Sequence, residues 1–164
     1  MSAEADWDVI VAGAGPGGSS IAALLALAGR RVLVIERESF PRFHIGESLL
    51  PAAGLVVSAM GVEPSPDVFF FKRGAQFVHE ATGRVQTFDF AEALPGPQRY
   101  AWHVERARFD KVLRDRAEAV GAVLRHRFEV DDVATDDAGV SVRIRPAGEA
   151  GADGAPTLER ARYF

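Results

Sequence analysis

The sequence predicts an α/β fold that begins with two parallel strands joined by a helix. Three consecutive segments lead to this prediction. Asp8 to Gly13 is rich in β-branched residues, the segment after Pro16 is small and apolar, and Val32 to Glu36 is a second β-branched run. A β-α-β order over about 30 residues implies a right-handed crossover and a parallel pair of strands. We therefore expect a Rossmann-like fold with three layers.

The composition is that of a single globular domain. The chain has 164 residues, of which 48% are hydrophobic, so we expect one domain over residues 1–164. Acidic and basic residues are interspersed, and the formal net charge is -4. No run rich in Lys and Arg offers a surface for nucleic acid or an anionic membrane, and we expect neither as a partner.

The absence of cysteine excludes disulfides, thiolate catalysis and thiolate metal sites from this chain. The first residues lack the basic region of a signal peptide, and no apolar stretch approaches the roughly 20 residues that a membrane span requires. His79, His103 and His126 do not have the spacing of a metal site. These features predict a cytoplasmic protein without a metal.

The first helix is predicted to begin at Pro16 and to be buried, because its apolar residues cover most of its circumference. Gly29 is placed to end this helix in a left-handed conformation. Pro51 to Gly61 has the composition of a shorter helix that ends at Gly61.

A β-rich insertion is predicted over about residues 62–102. Val68 to His79 and Arg84 to Phe90 are aromatic-rich and are separated by a turn-like Ala-Thr-Gly, so we expect them to form a hairpin. From Arg106 to Gly121, apolar residues recur at steps of three and four, which predicts an amphipathic helix.

The last third of the chain predicts further strands. Val123 to Val133 is one of them, and the alternation of Val140, Val142 and Ile144 with polar residues predicts another with one buried face. Gly148 to Pro156 predicts a loop. The start of a strand then follows and the chain stops at Phe164, so we expect the sequence to be truncated within a longer protein.

A Gly-rich turn, GAGPGG at residues 13–18, fits G-x-G-x-x-G directly after a strand and at the start of a helix, as a dinucleotide site requires. Gly13 permits the tight turn, Gly15 lets the backbone approach a pyrophosphate, and Gly18 lets helix and strand pack closely. The phosphates would bind the free N–H groups of the helix. Pro16 and Ser19 complete the predicted cofactor-binding residues of this segment.

The second strand ends on Glu36, 23 positions after Gly13, where a carboxylate is suited to accept hydrogen bonds from a ribose diol. Arg37 is also a predicted cofactor-binding residue. An arginine here can indicate the 2′-phosphate of NADP, but Glu36 would repel that group. Spacing alone does not separate FAD from NAD. The next segment favours FAD, because a simple NAD-binding unit would continue with another crossover rather than with FPRFHIGESLLP, residues 40–51.

The segments GAGPGGSS, VIERESFPRFHIGESLLP and FKRGAQF together resemble the amino-terminal part of flavin-dependent halogenases of the pyrrole and phenol type. These enzymes belong to the glutathione-reductase-like FAD oxidoreductases, and the resemblance covers residues 8 to about 133. HVERARFDKVL, residues 103–113, also resembles the V-x-R-x-x-F-D segment of that superfamily, in which the arginine contacts the flavin nucleotide. This resemblance implies that Arg106 binds FAD.

The resemblance implies that residues 40–51 form a strap between the flavin and a separate substrate chamber. Gly46 would allow the backbone to approach the isoalloxazine ring, and Glu47 and Ser48 would supply polar groups beside it. FAD would act as FADH2 delivered by a separate flavin reductase, with chloride or bromide as co-substrate. The expected substrate is a small electron-rich aromatic, either free or attached to a carrier protein.

Lys72 is the predicted catalytic residue. FFFKRGA, residues 69–75, places its ammonium among aromatics, and Lys-x-Gly-Ala resembles the surroundings of the halogenases' active-site lysine. In that family O2 and halide give hypohalous acid, which the lysine either holds by a hydrogen bond or converts into a haloamine. The structural alternative is a strand lysine that extends to solvent beside Arg73.

Other functions stay open on the sequence. The halogenase motif W-x-W-x-I-P is absent. An FAD-dependent monooxygenase or an isoprenoid-type reductase of the same fold would share the Gly-rich turn and Arg106. A non-catalytic nucleotide-binding module is a third alternative.

Overall fold

The computed structural model describes residues 6–93, 99–148 and 154–164. The chain forms two compact units, the first of Met1–Arg42 with Asp110–Phe164 and the second of Phe43–Phe109. The predicted insertion over about residues 62–102 lies within the second unit, which begins further upstream. Most of the loop predicted between Gly148 and Pro156 is outside the described residues.

The elements follow one another in the order β-α-β-α-β-β-β-α-β-α-β-β-β-β. They are β1 (Trp7–Ala12), α1 (Pro16–Leu27), β2 (Val32–Glu36), α2 (Pro51–Ala59), β3 (Phe69–Lys72), β4 (Gly74–His79), β5 (Arg84–Asp89), α3 (Phe90–Ala93), β6 (Ala101–Val104), α4 (Arg106–Ala119), β7 (Val123–His126), β8 (Phe128–Asp136), β9 (Gly139–Pro146) and β10 (Thr157–Tyr163).

The first unit contains a six-stranded sheet in the order β7-β2-β1-β10-β9-β8. β2 is parallel to both β1 and β7, and every residue of β2 is buried, as expected for a strand covered on both faces. A hydrophobic cluster that includes Ile10, Leu33, Val142 and Ile144 forms the core beside these strands. The predicted α/β fold class and the β1-α1-β2 unit are confirmed.

Helix α1 ends as predicted, with Gly29 at a φ of +76° and the N–H of Arg30 bonded to the carbonyl of Leu25. The single strand predicted over Val123 to Val133 is wrong, because the chain turns at Arg127, whose φ is +62°. The two halves have different partners. β7 pairs in parallel with β2, whereas β8 pairs antiparallel with β9.

The second unit contains two separate pairs of antiparallel strands. β4 and β5 form the expected hairpin, but its predicted first strand was too long, because Phe69 to Lys72 pairs instead with β6. Helix α2 ends before Gly61, which has a φ of +71° and so confirms the predicted end. Phe69 packs edge-on against Trp102 and Phe109, with ring centroids 5.4 and 5.6 Å away, and forms the core beneath β3 and β6.

None of the helices in the described part of the chain combines the length and apolar character that a membrane crossing needs.

Candidate functional site

The Gly-rich turn of the first unit joins β1 to α1 and is tied to the end of β2. Gly13 has a φ of +91°, and its N–H donates to the carbonyl of Ile35 at 2.7 Å. A Cβ at Gly18 would lie 1.9 Å from the carbonyl oxygen of Gly13, so α1 approaches β1 this closely only because residue 18 has no side chain. This geometry agrees with the turn and packing roles predicted for Gly13 and Gly18.

The amino terminus of α1 suits an anion. Gly15 is the extended N-cap residue and provides no side chain to bond the first free N–H groups, while Pro16 occupies the first turn. Ser19 is buried, and its hydroxyl donates to the carbonyl of Ala14 at 2.9 Å. The structure therefore shows Ser19 holding the turn, and its contact with a cofactor stays a prediction.

Glu36 is at the carboxyl end of β2 and is only 1% exposed. One carboxylate oxygen accepts the N–H of Ala14 at 2.6 Å, and the other accepts the N–H of Glu38 at 2.8 Å and Nη1 of Arg42 at 3.1 Å. A carboxylate has about four acceptor positions, so these three bonds leave one without a partner among the described residues. Glu36 thus links the Gly-rich turn to the segment after β2.

Arg42 is a residue of this site that the sequence reasoning missed. Its side chain is 13% exposed, and its Nη1 also contacts a carboxylate oxygen of Glu38 at 3.1 Å. Nη2 lies 3.3 Å from where a Cβ on Gly15 would be, which places the guanidinium beside the Gly-rich turn. The buried Nε has no hydrogen-bond partner among the described residues. The signal in the sequence that could have indicated Arg42 is its position between Phe40 and Phe43, six residues after Glu36.

A cavity of about 390 Å³ opens at this end of the sheet. It is lined by Ala12, Gly13, Ile35, Glu36, Arg37, Arg42, Phe128, Glu129 and Val130. Arg37 is at its exposed edge, where its guanidinium lies 3.9 Å from the carboxylate of Glu38. The cavity therefore combines the Gly-rich turn, a buried carboxylate and a guanidinium, which are the groups that bind pyrophosphate and ribose.

The part of the strap that belongs to the second unit, residues 43–51, pairs with the edge of β6 opposite β3. The N–H of Val104 donates to the carbonyl of Glu47 at 2.8 Å, and the N–H of Leu49 donates to the carbonyl of Trp102 at 2.9 Å. Ser48 is directly opposite His103 in this antiparallel pairing. The strap is thus fixed as an added strand at this point.

Gly46 and Arg106 lie together at the start of the paired part of the strap. Gly46 has a φ of +107°, and a Cβ here would lie 3.2 Å from Nη1 of Arg106. The same Nη1 donates to the carbonyl of Ile45 at 2.9 Å. Of the predicted flavin-binding residues, the structure therefore brings Gly46 and Arg106 together and gives Arg106 a contact with the strap.

Lys72 reaches from β3 across β6 to the strap. Its Nζ donates to the hydroxyl of Ser48 at 2.6 Å and to the carbonyl of Leu49 at 3.3 Å. The ammonium also lies 5.0 Å from the centroid of the Phe90 ring, within range of a cation–π interaction. The sequence placed Lys72 among the phenylalanines of β3, whereas the ring that it contacts comes from α3.

In the described ranges, no group of three or more His, Asp or Glu side chains is arranged so that it could hold a metal ion. Glu47 is exposed, and its backbone carbonyl takes part in the pairing between the strap and β6. It lines a cavity of about 180 Å³ together with Phe70, His103, Val104 and Glu105.

Comparison with known proteins relates this chain to proteins that bind FAD. The family described as FAD binding domain matches residues 6–163. A 1H-pyrrole-2-carbonyl-[peptidyl-carrier protein] chlorinase of Pseudomonas fluorescens is 34% identical over 146 residues, which are 78% of this chain and 32% of that protein.

The chain is also similar to solved structures. The myxobacterial chondrochloren halogenase, described as FAD-dependent, superposes with a TM-score of 0.79 at 38% identity, covering 94% of this chain and 35% of that one. The anhydrotetracycline hydroxylase of Streptomyces rimosus superposes with a TM-score of 0.78 at 30% identity, covering 96% of this chain and 30% of that one. The chain spans about a third of the length of these relatives.

Proposed function

The chain belongs to the FAD binding domain family, and from this we propose that it is the FAD-binding part of a flavin-dependent halogenase. The pyrrole chlorinase and the chondrochloren halogenase support this activity by their similarity to the chain. The observation that carries the proposal is the 2.6 Å hydrogen bond from Lys72 to Ser48, because it joins the candidate catalytic lysine to the strap.

FAD would bind at the cavity of the first unit and the adjoining Gly-rich turn. The Gly-rich turn and the free N–H groups of α1 would hold the pyrophosphate, and Glu36 would accept from a ribose hydroxyl. Arg42 would add positive charge beside the phosphates, since its guanidinium is next to Gly15. When bound and reduced, FAD would supply two electrons to O2, which takes two more from the halide, so that the products are hypohalous acid and water.

Lys72 is the residue that would present this hypohalous acid to the substrate. An ammonium has three N–H donors, of which Ser48 and Leu49 take two in the described structure, so one is directed elsewhere. That donor can hold and polarise hypohalous acid. Alternatively, the neutral amine attacks the halogen, forming an N–halogen bond while hydroxide leaves and takes the amine proton as water. Either path delivers an electrophilic halogen to an aromatic ring.

The finer parts of the proposal concern substrates and partners. The substrate is an electron-rich pyrrole or phenol, free or bound to a carrier protein, since one relative is a chlorinase of a carrier-bound pyrrole. Chloride or bromide is the co-substrate, and a separate flavin reductase supplies FADH2. The predicted cytoplasmic location stays a prediction.

An FAD-dependent monooxygenase is the second candidate. The similarity to the anhydrotetracycline hydroxylase favours it, because its TM-score of 0.78 nearly equals that of the chondrochloren halogenase. A hydroxylase would use the same FAD cavity but would have no need of Lys72 as a halogen carrier.

The two candidates are separated by a product assay on the complete protein. It is supplied with FADH2 from a flavin reductase, O2, and a phenol or a pyrrole, with and without bromide, and the products are analysed by mass spectrometry. The halogenase proposal predicts a brominated product that depends on bromide. A hydroxylated product that forms equally well without halide would establish the monooxygenase instead.

A further inference from the structure

Ser48 and Lys72 approach each other from opposite sides of β6. Lys72 is on β3, where it pairs with Ala101 of β6, and Ser48 is on the strap, where it pairs with His103 of the same strand. The side chains of residues 101 and 103 point to the same face, because residues two apart in a strand do so. Ser48 and Lys72 therefore meet on that face, and their contact is 2.6 Å long.

The backbone on both sides of Ser48 is held by hydrogen bonds. Glu47 accepts from Val104 and Leu49 donates to Trp102, at 2.8 and 2.9 Å. The serine hydroxyl consequently has little freedom apart from rotation of its own side chain. Lys72, in contrast, has a long side chain whose ammonium is placed only by what it contacts.

Two further residues shape the path of the lysine. Ala101, which pairs with Lys72 on β6, is fully buried and has only a methyl group as its side chain. Phe90 then lies beside the ammonium at 5.0 Å from the ring centroid. The ammonium is thus bounded by a hydroxyl, a carbonyl and an aromatic ring, of which only the hydroxyl belongs to a polar side chain.

We propose that Ser48 is the positioning residue of Lys72: its hydroxyl accepts one N–H of the ammonium and thereby fixes the direction of the donor that stays available. This inference rests on the proposed function, in which Lys72 presents the halogen to the substrate. The expectation that Ser48 supplies a polar group to the flavin stays a prediction. Ser48 acts through Lys72 and need not touch the cofactor.

The order of the lysine side chain provides a test that does not depend on activity. The sequence contains two lysines, Lys72 and Lys111, so [13C]lysine labelling of this chain gives two sets of side-chain signals, assigned with a Lys111→Arg variant. Lys111 is an internal control on α4, where it pairs with Asp115. Carbon relaxation at Cε measures the mobility of each side chain.

We expect Ser48→Ala to make the Lys72 Cε mobile and Ser48→Thr to keep it ordered, since threonine retains the hydroxyl. The relaxation of Lys111 should be the same in both variants. If the Cε of Lys72 is as ordered in Ser48→Ala as it is in the original protein, the inference is overturned. Unchanged circular dichroism verifies that each variant is folded.

Kinetics of the complete protein provide the second test. Ser48→Ala should lower kcat for halogenation by about tenfold to a hundredfold, as expected for a reacting group displaced by about 1 Å, with KM for the aromatic substrate unchanged. Ser48→Thr should recover most of kcat. Weaker FAD binding in Ser48→Ala, with Lys72 still ordered, would instead identify Ser48 as a cofactor ligand and overturn the inference.

Failure of this inference differs from failure of the proposed function. If Lys72→Ala eliminates halogenation but Ser48→Ala leaves kcat unchanged, the inference alone is wrong. If Lys72→Ala itself halogenates normally, the role of the lysine in the proposed function is wrong and the inference is overturned with it.

Discussion

The carboxylate of Glu36 accepts the backbone N–H of Ala14 at 2.6 Å and so connects the end of β2 to the Gly-rich turn. A carboxylate that was predicted only as a ribose ligand is therefore also part of the scaffold of the turn. Binding and stability are coupled here, because the group that would accept from the ribose also holds the residues that would bind the phosphates.

The first prediction concerns Glu36. Glu36→Ala would leave the N–H of Ala14 and the guanidinium of Arg42 without a buried acceptor, so the free energy of unfolding should fall by roughly 3 kcal/mol. Glu38 also contacts Arg42 but is 39% exposed at its side chain, so Glu38→Ala should cost less than about 1 kcal/mol. Urea unfolding of both variants measures the difference, and equal losses would contradict the structural role of Glu36.

The second prediction compares two neighbouring glycines. Gly18→Ala would place a Cβ 1.9 Å from the carbonyl oxygen of Gly13, so α1 must shift from β1 and stability should fall by more than about 2 kcal/mol. A Cβ on Gly17 meets nothing within 4 Å, and Gly17→Ala should be neutral or stabilising by up to about 1 kcal/mol. Thermal unfolding of the pair measures this contrast. A Gly18→Ala variant as stable as Gly17→Ala would show that the close approach is not required.

The third prediction separates binding from folding at Gly15. Its surroundings are open except for Nη2 of Arg42, which is at the end of a flexible side chain. Gly15→Val should therefore leave the unfolding free energy within about 1 kcal/mol of the original. FAD affinity should nevertheless fall by at least about tenfold, because the added side chain blocks the approach of the pyrophosphate. Flavin fluorescence titration measures the affinity, and tight FAD binding by Gly15→Val would locate the phosphates elsewhere.

The elements that were predicted correctly from the sequence are those that depend on residues close together in the chain. The strands β1 and β2 are short β-branched runs, and the glycines at 13 and 29 mark the turns before and after α1, so neighbouring residues alone contain the information. The partner of β3 was not predicted because its pairing with β6 joins residues about 30 positions apart, and no local pattern indicates it. The break at Arg127 was missed because arginine rarely adopts a positive φ.

In the candidate site, too, local features were predicted from the sequence and long-range contacts were not. The Gly-rich turn and Lys72 were found from motifs, but their partners depend on tertiary contacts. Arg42 was missed as a site residue because its significance comes from its distance to Glu36 and Gly15, which the sequence does not contain. Phe90 was missed for the same reason, since α3 brings it to the lysine from 18 positions away.

The last prediction concerns Lys72, whose ammonium is held at the strap by Ser48 and Leu49. Lys72→Ala should eliminate halogenation in the complete protein while FAD affinity stays within about twofold, because the lysine would act after the flavin has reacted. Lys111, exposed on α4, provides the matched control, and Lys111→Ala should retain full activity. Product analysis and flavin titration measure the two properties separately. A Lys72→Ala variant that has lost FAD affinity would make Lys72 a cofactor or structural residue, whereas one that still halogenates would require another halogen carrier.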